Sequence, residues 1–160
     1  MIIDGHAYCF PPLDSSEGFQ SLEEKLDAIQ SEFGSHHQPV WRVRDRAPFT
    51  NDTLINPNTQ EPRDVIWTRD IGRLAWEYEG EIYTKQYLPP MLNNLECTPE
   101  TLIAEMDYVG VDKAILHQSP QFGVLNEYLT LAAQRFPSRL MRLIRVNEQE
   151  TSDAPDDAIE

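Results

Sequence analysis

The chain opens on a short apolar run, Met1-Ile-Ile, that breaks into Asp4-Gly-His6-Ala-Tyr8 and then into Cys9-Phe-Pro-Pro12. This pattern predicts a buried strand whose C-terminal end delivers polar side chains. A Pro, Ser and Gly loop follows to Gly18. Leu22, Leu26, Ile29 and Phe33 then recur at the spacing of one helical face, with Gly34 as the expected stop. Residues 35–63 are polar and punctuated by Pro39, Pro48, Pro57 and Pro62, which predicts a long irregular excursion. Leu74, Trp76 and Tyr78 alternate with Ala75 and Glu77, Glu79-Gly80 supplies a turn, and Ile82 and Tyr83 return. That is the signature of a β-hairpin.

Beyond Leu95 the pattern changes. Thr98-Pro99-Glu100 is a helix start with a cap, a proline at the first position and an acid in the first turn. Leu102, Ile103, Met106 and Val109 form its expected buried face, and Gly110 closes it. Val111 to His117 reads as a strand. Leu125, Tyr128, Leu129, Ala132 and Phe136 mark a second helix ended by Pro137, and Leu140 to Val146 reads as a third strand. Strand, helix, strand, helix, strand is the order of a parallel sheet built from crossovers. Asp156 to Glu160 looks like the first turn of a further helix, so the expectation is a fragment of a longer chain.

Charge narrows the partners. The 160 residues carry 27 acidic and 13 basic side chains, a net charge of −14, which argues against nucleic acid and anionic membranes. Cys9 and Cys97 form no C-x-x-C or zinc spacing and are expected as two reduced thiols. There is no basic, apolar leader and no bilayer-length apolar run, so a cytoplasmic location is expected.

Candidate chemistry gathers at strand ends. In an extended strand Asp4, His6 and Tyr8 share one face, the spacing of a metal clamp; a buried, hydrogen-bonded histidine is the plainer alternative. His117, followed by Gln118-Ser-Pro120, ends the second strand, on the sheet edge that faces ligand; a histidine satisfied by loop backbone is the other reading. Arg145 and Asn147 hold the matching place on the third strand, where an arginine fork suits a carboxylate and a salt bridge suits equally. His36-His37 reads as a solvated pair, and Trp41, Trp67 and Trp76 as a core for the excursion. No Gly-rich phosphate loop, G-x-S-x-G elbow or kinase motif occurs.

Taken together, Met1 to Tyr8, the run Thr98-Pro-Glu-Thr-Leu through Leu116-His-Gln-Ser-Pro120, Asn126 to Leu129, Arg135 to Arg139 and Arg145-Val-Asn resemble the amidohydrolase-related family. That family is the branch of the metal-dependent hydrolases that includes decarboxylases of aromatic and related acids. The resemblance implies α/β architecture, the N-terminal part (about three βα units) of a (β/α)8 TIM barrel. Strand 1 would occupy residues 1–9, an insertion with a helix and the hairpin 10–97, the βα units 98–147, and the start of a truncated helix 148–160. It implies a hydrolase or decarboxylase acting on a small carboxylate-bearing or cyclic substrate, with these 160 residues alone expected to be inactive. It also implies a divalent metal, zinc or manganese, with His6 as ligand and Tyr8, His117 and Arg145 as substrate-binding residues. Tyr8 stands where the family's opening strand carries its second histidine, and the family's later ligands would lie beyond Glu160. A non-catalytic, barrel-derived binding protein is the alternative. Open strand edges lead us to expect a homo-oligomer.

Overall fold

The computed structural model describes residues 1–60, 63, 65–66 and 72–146, which build two sheets. β1 (Ile3–Tyr8) leads into α1 (Leu22–Ser35), β2 (Val40–Arg42) and β3 (Pro48–Phe49). β4 (Val65–Ile66), β5 (Arg73–Tyr78) and β6 (Glu81–Gln86) follow. The chain then runs through α2 (Pro99–Val109), β7 (Lys113–His117), α3 (Asn126–Arg135) and β8 (Leu140–Arg142). β1, β7 and β8 pair in parallel in that order, while β3-β2-β6-β5-β4 form an antiparallel sheet. The fold is mixed α/β, and no closed barrel forms among the described residues. Trp67, Asn147 and the expected helix start at 148–160 lie outside the described residues.

Local chemistry explains the elements that carry the parallel sheet. Thr98 caps α2 by accepting from the Thr101 N–H, Pro99 occupies the first turn, and Gly110 ends it at φ 77°. Ala7, Ala114, Leu116 and Leu140 turn one face of the sheet onto Met106 of α2 and onto Leu129 and Ala132 of α3. Val109, expected inward, is 64% exposed, so the α2 contact rests on Met106 with Leu102 and Ile103 partly buried. The third strand ends at Arg142 rather than Val146; Leu143 still donates to the Leu116 carbonyl at 3.0 Å.

The insertion has its own core. Trp76 and Phe33 are fully buried with Leu54 and Leu74 beside them. Trp76 Nε1 donates to Thr53 Oγ1 at 3.3 Å, which satisfies its buried polar atom. The hairpin forms as the pattern predicts, with Glu79 and Gly80 both at positive φ, as a tight turn between right-twisted strands requires. The stretch expected to be irregular contributes β2 and β3, and β4 follows just beyond it; these strands of two or three residues are too short to show an alternating pattern. α1 runs through Gly34 to Ser35, and Ile55 packs where a side chain at Gly34 would stand.

Two contacts fasten the insertion to the parallel sheet. Phe10 and Cys97, at its two stems, exchange backbone hydrogen bonds of 2.8 and 3.1 Å. Further on, Gly18 and Gly123 cross backbone to backbone, both at positive φ, and the Val124 N–H donates to the Gly18 carbonyl at 2.8 Å. A Cβ on Gly123 would lie 2.0 Å from the Gly18 carbonyl oxygen. Gly123→Ala should therefore cost about 2 kcal/mol or more in denaturant unfolding. Gly80→Asn, at a turn with nothing within 4 Å, should cost much less. Equal losses for the two would contradict this anchoring.

Lys85 of β6 is fully buried against Phe33. Its Nζ donates to the Phe33 carbonyl at the end of α1 and to Asn51 Oδ1, at 3.2 and 3.0 Å. Burial pulls its pKa down to about 8. The folded state thus disfavours the charged form, a penalty complete below pH 8 and relieved as pH rises toward the unfolded value near 10.4. The stability of the wild type relative to Lys85→Met should rise across that window; a pH-independent difference would contradict the burial of the ammonium.

Candidate functional site

The strand that carries the leading candidates is not regular. Asp4 pairs with Ala114 and Ala7 with Leu116, so three steps along β1 match two along β7. This is a bulge at Gly5 and His6. Register partners in parallel strands share a face, and Ala114 and Leu116 lie on the helix-covered face. The bulge therefore puts Asp4 in phase with Ala7 and out of phase with His6 and Tyr8. The expectation that all three share one face is corrected by that extra residue. Asp4 instead folds back, its Oδ1 accepting from the His6 N–H at 2.9 Å.

The bulge brings other groups together. His117 Nε2 lies 2.9 Å from the Gly5 carbonyl oxygen. A carbonyl can only accept, so Nε2 carries the proton and Nδ1 keeps its lone pair when the ring is neutral. The His6 ring stacks on the His117 ring, centroids 4.1 Å apart and planes 10° from parallel. His6 Nε2 in turn lies 2.7 Å from the Tyr8 hydroxyl. His6, Tyr8 and His117 thus form one cluster at the C-terminal ends of β1 and β7.

Tyr8 also forms part of the wall of a cavity of about 460 Å³. Phe10 and Phe122, stacked at 4.0 Å and 6°, give it an aromatic wall, and Leu88 and Leu92 line it too. Ser119 and Gln121 add neutral polar groups. Cys97 reaches the cavity too; burial pushes its thiol up to about 11, so it stays protonated at neutral pH. Cys9 is likewise a free, buried cysteine whose thiol burial pushes up. A larger depression, about 670 Å³, sits at the opposite end of the sheet between Met1, Asp112 and Arg139. Two ion pairs form there: the amino terminus with Asp112 at 3.6 Å and Arg139 with Asp107 at 2.7 Å.

Arg145 is exposed, and its Nη1 points to the Gly123 carbonyl at 3.5 Å rather than into the cavity wall. Its backbone is held more firmly: Asn126 Oδ1 accepts from its N–H and Asn126 Nδ2 donates to its carbonyl, both at 2.9 Å. Gln118 completes this bracket, with Nε2 donating to Asn126 Oδ1 at 2.7 Å and Oε1 accepting from the Leu125 N–H at 2.9 Å. Sequence reasoning passed over Gln118 and Asn126 as positioning groups; the amide at the first turn of α3 was their one local signal. His36 and His37 lie at the end of α1, apart from the cluster, with ring centroids 4.7 Å apart.

A resident metal finds no ligand set among the described residues. No three His, Cys, Asp or Glu side chains converge. The near-parallel stack also keeps the lone pairs of His6 and His117 in separate planes, so one ion cannot lie in the plane of both rings. No helix among the described residues is long and apolar enough to cross a membrane. No family model, curated protein or solved structure matches the chain.

Proposed function

We propose that the parallel βα units are the leading part of a barrel of the amidohydrolase-related kind. In this reading His6, Tyr8 and His117 serve proton transfer in a hydrolase or decarboxylase acting on a small molecule held behind Tyr8. The observation that carries the reading is the 2.7 Å contact between His6 Nε2 and the Tyr8 hydroxyl, at the C-terminal end of a parallel sheet and beside a cavity. That end of such sheets is where side chains of successive strands meet substrate. Supporting it is the resemblance carried by residues 1–8 and 98–147, with helix and strand order to match.

The chemistry follows from the contacts. Tyr8 and His6 share one proton, so the phenol can donate to a developing oxyanion while the imidazole supplies or stores the proton. His117, anchored on the Gly5 carbonyl, holds the plane of His6 by stacking and is a positioning residue. Arg145 lies beyond the end of β8, turns to the Gly123 carbonyl and takes no part in this exchange. No step is routed through a metal here; among the described residues no three ligand side chains converge.

A panel of small carboxylates, esters and lactones tests the reading by turnover. Tyr8→Phe and His6→Ala should each lower kcat/KM by about 10²–10⁴, the range of a lost acid–base group, while His37→Ala leaves it unchanged. Turnover in both site variants within twofold of the wild type would overturn it. Binding without turnover of any panel member would leave a non-catalytic binding protein in its place.

A further inference from the structure

We infer that the cavity behind Tyr8 takes an uncharged molecule with an apolar body and one hydrogen-bonding end, not the carboxylate that the sequence suggests. This rests on the reading that Tyr8 and His6 act on what the cavity holds. Its volume of about 460 Å³ lies within the range of small-molecule sites. The wall supplies Phe10, Phe122, Leu88 and Leu92 for an apolar body, and only neutral polar groups for the rest. No Lys, Arg, His, Asp or Glu side chain lines it, and the Cys97 thiol remains protonated.

An anion placed there would lose its hydration with no cation to replace it, which disfavours the charged form strongly. Arg145 does not correct this, since its Nη1 turns to the Gly123 carbonyl outside the wall. The chain's net charge of −14 adds a long-range potential that repels anions. A neutral hydroxyl or carbonyl meets no such penalty. It can hydrogen-bond to a polar group of the wall, which Tyr8, Ser119 and Gln121 supply, while the body lies against the stacked Phe10 and Phe122 rings.

Matched probes differing only in charge test this: phenol against benzoate, and cyclohexanol against cyclohexanecarboxylate. Each is titrated at neutral pH while the ring resonances of Tyr8 and Phe122 are followed by NMR. The neutral member of each pair should shift both rings saturably and bind at least about tenfold more tightly than its carboxylate. Leu92→Trp, and independently Leu88→Trp, should abolish the shifts by filling the space. Equal or tighter binding of the carboxylates, or no saturable shift with any probe, would overturn the inference. A neutral preference with turnover intact in Tyr8→Phe would remove the proton-transfer reading and leave the ligand class standing. The opposite pair of results would do the reverse.

Discussion

The hydrogen bond from His117 Nε2 to the Gly5 carbonyl organises the candidate site. A bulge in a parallel ladder leaves a backbone carbonyl without its strand partner, and an unpaired carbonyl is costly unless something donates to it. His117 does so from the end of the neighbouring strand. That bond brings the His117 ring under His6, and the stack turns His6 Nε2 toward the Tyr8 hydroxyl. One irregularity in β1 thereby converts three residues at strand ends into a cluster, and removes Asp4 from it.

The two cores divide the remaining work. The helix-covered face of the parallel sheet fixes β1, β7 and β8 relative to one another, which sets the distance between His6 and His117. The insertion's core builds a separate antiparallel sheet and delivers Leu88 and Leu92 over the end of β1. The stems at Phe10 and Cys97 and the crossing of Gly18 with Gly123 keep the two parts in register. The cavity exists because both parts contribute a wall to it.

Elements governed by local chemistry were legible from the residues alone. Thr98-Pro99 and Gly110 bound α2, Glu79-Gly80 turns the hairpin, and the inward positions of α3 are buried or partly buried as spaced. The bulge was not legible, because alternation from Asp4 to Tyr8 presumes an unbroken ladder and the break depends on how β7 aligns. The same holds for Gln118 and Asn126, whose amides act across distant segments, and for β2 and β4, which pair with the hairpin edges, and β3, which pairs with β2, rather than showing any pattern of their own. His6, Tyr8 and His117 were each visible as candidates; that His6 stacks on His117 rather than sharing a ligand point with it was a matter of geometry.

The most direct measurement is the tautomer of His117, read from the long-range ¹⁵N–¹H correlation of its imidazole at a pH where the ring is neutral. Donation to the Gly5 carbonyl predicts a protonated Nε2 and a pyridine-like Nδ1. A protonated Nδ1 with a bare Nε2 would mean that no bond holds the bulge, and the arrangement of His6 and Tyr8 derived from it would fall.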